Sequence, residues 1–201
     1  MHCCGKPHAW DVYGVAVRWK PNTLRCLIIG ENPGDETSTY FYQLADGRDP
    51  VRVRSNLLHG LTEAALISAP TLDAFRSAGF LFDHAIRCHM PFGRVEAYRR
   101  SADRPMPCLP GNAEHLRPFV AEARIVWVMG RIARKAVGCV AEDFQVERDL
   151  ISKPPYPCRL KGTKYFVSRY LTRMSRDRAD AICCTLRDSF TGLFTVPDYS
   201  N

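Results

Sequence analysis

Glu31, Asn32 and Asp35 are the residues whose types and spacing could do chemistry. They surround a corner in the run Gly30-Glu31-Asn32-Pro33-Gly34-Asp35-Glu36, directly after the apolar run Leu24-Arg25-Cys26-Leu27-Ile28-Ile29. Two carboxylates and an amide can hold a water molecule, and Pro33-Gly34 lets backbone approach a ligand closely. Asn-Pro-Gly is also an ordinary turn former, so a strand-end turn with exposed acids is the plain alternative. Tyr40, Phe41 and Tyr42 follow; an aromatic ring there can stack on a planar ligand or pack in the core. The nine cysteines form a second resource. An odd count argues against a complete disulfide framework and for buried thiols or metal ligands.

The elements around these residues must position them. Leu24 to Ile29 predicts a buried strand running into a tight turn. Residues 55–69 carry apolar positions at helical spacing behind Ser55 as an N-cap, and Thr71 to Ala78 reads as a further short helix. Gly79 to Arg87 is a second strand, and Arg124 to Met129 a third, led in by a helix from Asn112 to Val120. Arg131 to Val137 starts the next helix, Lys164 to Ser168 is a fourth strand, and Asp177 to Phe190 is a closing helix. Residues 1–22 read as an irregular arm, and the prolines and glycines of residues 91–112 as a long loop. Strands alternating with helices predict a single α/β domain over residues 1–201: three layers, α/β/α, around a central, mostly parallel four-stranded sheet. Sites in such sheets form at the carboxyl ends of strands. The loops after Ile29, Arg87, Met129 and Val167 are therefore the ones that matter.

Charge points to a polyanion. Net charge is +7, with the excess concentrated in two segments. Arg87, Arg94, Arg99, Arg100 and Arg104 face only Glu96 and Asp103 in the first. Arg159, Lys161, Lys164, Arg169, Arg173, Arg176 and Arg178 face only Asp177 in the second. Phe92, Tyr98, Tyr165, Phe166 and Tyr170 are interleaved, a pattern suited to a phosphate backbone with splayed bases, or to two solvated basic surfaces. No apolar run approaches the roughly eighteen residues of a membrane helix. The first eight residues hold no apolar signal core, so the expectation is an intracellular, cytoplasmic protein with no membrane partner.

At this point the chain resembles the uracil-DNA glycosylase superfamily. Gly30-Glu31-Asn32-Pro33-Gly34 combines the Gly-Glu-Ala-Pro-Gly and Gly-Met-Asn-Pro-Gly forms of that family's first motif, and Asp35 continues it as in Gly-Glu-Gln-Pro-Gly-Asp. Asp83-His84-Ala85-Ile86-Arg87-Cys88-His89-Met90-Pro91 is similar to its Thr-Asn-Val-Val-Lys-Cys-Arg-Pro-Pro. Ile125 to Ala133 resembles its strand-Gly-helix element, so the likeness spans roughly residues 24 to 174. It implies a uracil-DNA glycosylase-like fold in which Asn32 orients the attacking water and Glu31 or Asp35 assists electrostatically or as base. Tyr40 or Phe41 would stack on a flipped base, and His84 stands where the family reads the base with an asparagine. A histidine cannot make the bidentate amide contact that separates uracil from cytosine. Val167 stands in the histidine slot of the second motif. The following Ser168-Arg169-Tyr170-Leu171-Thr172-Arg173 offers Arg169 for the leaving base or a phosphate, and Tyr170 or Leu171 as a wedge.

The resemblance implies a monomeric DNA repair hydrolase that removes uracil or a related deaminated base from DNA by base flipping. Arg94, Arg99, Arg100, Ser168, Arg169, Tyr170 and Arg173 would contact the DNA. The chemistry requires no cofactor. Some relatives hold an iron–sulfur cluster, and Cys4, Cys88 and Cys108 stand near the corresponding places, for a structural cluster or zinc. The alternatives are a non-catalytic binder of damaged or abasic DNA on the same scaffold, and a nucleotide- or small-molecule-binding α/β protein. The chain carries neither Gly-x-x-x-x-Gly-Lys nor Gly-x-Gly-x-x-Gly, which weakens the last.

Overall fold

Five strands form the sheet, four of them from apolar runs whose every residue is buried. They are β1 (Cys26–Gly30), β2 (Phe80–His84), β3 (Ile125–Met129), a two-residue β4 (Cys158–Arg159) and β5 (Tyr165–Ser168). Burial without alternation in β1, β2, β3 and β5 is what a sheet covered on both faces requires. The computed structural model describes residues 9–33, 40–43, 52–88, 109, 113–144, 158–159, 164–168 and 176–191. Strand order is β2-β1-β3-β5-β4. The first four are mutually parallel, and β4 joins β5 antiparallel. The chain moves outward from β1 to β2, then crosses back to β3 on the other side of β1. The direction of winding therefore reverses between β1 and β3, the place where such sheets open a crevice.

The helices are α1 (Ala9–Val12), α2 (Val15–Arg18), α3 (Arg52–Glu63), α4 (Leu72–Ser77), α5 (Arg117–Glu122) behind a 3₁₀ turn at Glu114–Leu116, α6 (Arg131–Val140) and α7 (Arg176–Thr191). Long α3 packs along α7, while α6 lies against β1, β3 and the 3₁₀ turn. Right-handed crossovers put these two groups on opposite faces, completing three layers. α6 buries Ile132, Ala133, Ala136, Val137 and Val140, one apolar stripe at helical spacing. α4 starts where Thr71 accepts a hydrogen bond from the Ala74 amide at 3.2 Å. No helix among the described residues is long and apolar enough to cross a membrane.

Three expectations change. The arm is not irregular throughout: α1 and α2 deliver Trp10 and Val15 into the core. The helix expected at residues 55–69 begins at Arg52 and ends at Glu63. Ser55 therefore lies inside it, because buried Val53 and Arg54 already belong to its packed face. β4 was not expected, since two residues carry no periodicity to read. Residues 91–112 lie outside the described residues, apart from buried Leu109.

Edge strand β2 shows how a turn can finish a sheet. Its Phe82 amide points away from β1 and donates to the Tyr42 hydroxyl at 2.7 Å, closing an edge that would otherwise be open. The neighbouring Phe41 stacks on Phe82 at 4.3 Å and also contacts Phe75.

Candidate active site

Gly30 stands level with His84, and Ile29 with Val128, so the exits of β2, β1 and β3 lie side by side. Backbone pairing continues beyond the strands. The Ala85 amide donates to the Gly30 carbonyl (2.8 Å), Ile86 to Glu31 (3.1 Å) and Gly130 to Ser168 (3.0 Å). The first loop therefore leaves the sheet on a fixed path, across the point where winding reverses.

Glu31 anchors that loop. It is only 2% exposed, and its Oε1 accepts from the backbone amides of Arg131 (3.0 Å) and Ile132 (3.4 Å) in the first turn of α6. Gly130, at the N-cap, has no side chain to do this. It also has φ +89°, and a Cβ on it would lie 2.5 Å from Glu31 Oε1. Glycine is thus required twice, for the backbone conformation and for the carboxylate's approach. Glu31 was expected to assist catalysis or act as base; in the structure it caps α6 from the loop after β1. That leaves Asn32, partly exposed between buried Glu31 and buried Pro33, as the polar side chain of the described loop.

His84 is held through its backbone by the neighbouring Asp83 and by His115, which lies outside its motif. Its amide donates to Asp83 Oδ1 at 2.7 Å, and its carbonyl lies 2.9 Å from His115 Nε2. Asp83 is fully buried and takes Arg87 through two oxygens, Nε to Oδ1 at 3.2 Å and Nη2 to Oδ2 at 2.7 Å. His115 Nε2 approaches the same Oδ2 at 3.5 Å. The Arg87 guanidinium in turn lies 3.8 Å from the Trp10 ring centroid, a cation–π contact that shields the pair. The His84 ring sits against Phe82 and Tyr40, with centroids 5.0 and 5.5 Å away.

Comparison with protein-family models and with curated protein sequences finds no match to this chain.

Tyr40 and Phe41, expected to stack on a base, are both buried to 1% exposure. Phe41 is spent on the core, its ring packed against Phe82 and Phe75. Tyr40 lies at the site, stacked on half-buried Tyr13 at 5.2 Å and tilted against His84. Burial, and then the charge of Asp83, push its phenol well above the ordinary tyrosine value, so it stays a neutral hydroxyl. Ser168, expected to face DNA, is buried, and its Oγ accepts the Trp127 indole N–H at 2.7 Å. It positions the end of β5 rather than presenting a hydroxyl outward.

Asp35, Arg94, Arg99, Arg100, Arg169, Tyr170, Arg173, Cys4 and Cys108 lie outside the described residues. Cys88 is buried. Among the described residues no group of three or more histidine, cysteine, aspartate or glutamate side chains is arranged to hold a metal. Sequence reading missed Asp83 and His115 as site residues. The signal was present for Asp83: a carboxylate in a fully buried strand must find a partner, and Arg87 follows four residues on.

Proposed function

We propose that this chain is a DNA repair hydrolase that removes uracil, or a related deaminated base, from its sugar by base flipping and water attack. The observation that supports this best is the placement of the Gly30–Pro33 loop. It leaves β1 at the point where winding reverses, is pinned to α6 through Glu31, and keeps Asn32 partly exposed beside the level of His84. A partly exposed amide on a rigid loop suits the positioning of a water, whose attack is favoured when its orientation is fixed beforehand. His84, clamped through both its backbone groups, suits a donor to a carbonyl of the departing ring. In this reading Asn32 carries the water, His84 contacts the base, and Tyr40 walls the pocket. Glu31 shapes it. The two basic segments follow the phosphate backbone.

The test incubates uracil-containing, abasic and undamaged duplexes with the full chain, then measures alkali-labile breaks and gel shifts. Breaks confined to the uracil duplex and lost in Asn32→Ala are the expected result. Lesion-selective shifts without breaks would replace it with a second reading, a non-catalytic binder of damaged or abasic DNA. Val167 favours that second reading: buried to 6% exposure, it offers no proton or charge at the exit of β5, where the resemblance places a histidine.

A further inference from the structure

Asp83 and His115 are titratable groups at the site that the base-removal chemistry does not itself use. Asp83 is fully buried, and its charge is already matched by the two-point contact with Arg87. His115 comes from the 3₁₀ turn before α5, 31 residues after His84. Charge balance does not call for it, so its place has another reason, and the hydrogen bond supplies one. A carbonyl oxygen only accepts, so the His115 nitrogen 2.9 Å from the His84 carbonyl, Nε2, carries a proton. The same nitrogen lies 3.5 Å from Asp83 Oδ2, while Asp83 Oδ1 accepts the His84 amide at 2.7 Å. The pair therefore grips the backbone on both sides of the His84 α-carbon. What this grip fixes lies on the next strand. The peptide whose oxygen takes His115 is the one whose N–H, that of Ala85, donates to the Gly30 carbonyl at 2.8 Å. The following amide, Ile86, donates to the Glu31 carbonyl at 3.1 Å. Gly30 and Glu31 are the two residues before Asn32. One planar, stiff peptide thus carries His115 on one edge and the root of the Asn32 loop on the other.

We propose that Asp83 and His115 are positioning residues, which orient the His84–Ala85 peptide and through it set the spacing between the His84 ring and Asn32. The inference rests on the base-removal reading for what that spacing serves; the positioning itself stands on the hydrogen bonds. Asp83 alone would hold only the amide side of His84 and leave the carbonyl side to turn. His115 closes that freedom. Imidazole with its proton on Nε2 and imidazolium both keep the Nε2–H donor, so the grip holds on either side of the histidine titration. His115 therefore acts here without a change of charge. Alignment of this kind matters because a misplacement of about 1 Å between reacting groups costs about a hundredfold in rate.

NMR on the full chain, without DNA, tests the positioning first. Ring nitrogen shifts of the wild type should report His115 with its proton on Nε2 at neutral pH. His115→Leu removes the donor. It should move the Ala85, Ile86 and Asn32 amide signals and speed exchange of the Ala85 amide by about tenfold or more. His115→Gln, which restores an N–H donor, should bring those signals back toward the wild type. Gly60→Ala, a packing change between α3 and α7, should lower the melting temperature and leave them in place, which separates positioning from a general loss of stability. On a uracil-containing oligonucleotide, His115→Leu should slow base release at saturating DNA by about tenfold or more, with the half-saturating concentration within about twofold of wild type. His115→Gln should recover part of that rate with the pH profile unchanged in shape. A wild-type His115 protonated on Nδ1 alone would overturn the proposal. So would a folded His115→Leu whose Ala85 and Asn32 signals coincide with the wild type's. If His115→Leu does not fold, His115→Asn, whose amide stops short of the carbonyl, takes its place. A wild type that releases no base would end the base-removal reading, while the NMR outcomes still decide the positioning.

Discussion

Two buried side chains show what single residues must satisfy in this molecule. The Tyr42 hydroxyl oxygen accepts the Phe82 amide N–H on the sheet edge. Removing it leaves a buried N–H with nothing to bond, which costs about 1–3 kcal/mol. Tyr42→Phe should lower unfolding free energy by that amount, measured in urea, with β2 amide exchange accelerated; an unchanged midpoint would contradict the bond. Asp83 balances Arg87 with the Trp10 ring over the guanidinium. Asp83→Asn keeps the volume but strands a largely buried cation, so a loss of about 3 kcal/mol is expected in the same experiment. A loss below about 1 kcal/mol would mean that the pair is solvated. At this scale the sequence was legible where chemistry is local: Asp83 and Arg87 are four residues apart. It was opaque where the partner is remote, as with Glu31 and Arg131, or His84 and His115, because no pattern in either segment names the other.

Helices show how packing decides the sign of one substitution. Alanine normally stabilises a helix interior over glycine by about 1 kcal/mol. Gly138 in α6 has nothing within 4 Å of an added Cβ, so Gly138→Ala should raise stability by about 0.5–1 kcal/mol. Gly60 in α3 faces α7. A Cβ there would meet Cys183 Sγ at 2.8 Å, the Ala179 carbonyl at 3.2 Å and Asp180 Oδ1 at 3.3 Å. The carbonyl is backbone and cannot swing aside, so Gly60→Ala should destabilise by about 1–3 kcal/mol as the helices are pushed apart. Opposite shifts in melting temperature are the check, and equal shifts would show that α3 and α7 do not pack this closely. Most elements were readable because uninterrupted apolar runs and helical spacing report burial directly. The start of α3 was not: Ser55 is a good N-cap by type, but Arg54 is held inside the helix by its bonds to the carbonyls of Phe41 and Gln43. A tertiary contact outweighed a local preference. α1 and α2 are too short for periodicity to reveal them.

The whole molecule buries several groups that must stay protonated. Burial raises the thiols of Cys26 and Cys183 and the phenols of Tyr40 and Tyr42 above their ordinary values. Unfolded, they ionise near about 8.5 and 10. Below those values both states hold the protons and the contribution to stability is complete. Above them only the unfolded chain releases protons, so stability falls as pH rises. The urea midpoint should therefore be lower at pH 10 than at pH 8, and a higher midpoint at pH 10 would contradict the burial of these groups. Three layers and a parallel sheet were legible from the alternation of strands and helices. The winding reversal that brings Gly30–Pro33 against α6 was not, because strand order is set by crossovers and not by any one segment. That placement underlies the proposed activity. The most direct test is release of free uracil from a uracil-containing oligonucleotide under single-turnover conditions. Wild type should release the base, and Asn32→Ala, equally folded, should do so at least about a hundredfold more slowly. Base release undiminished in Asn32→Ala, or none from the wild type, would contradict it.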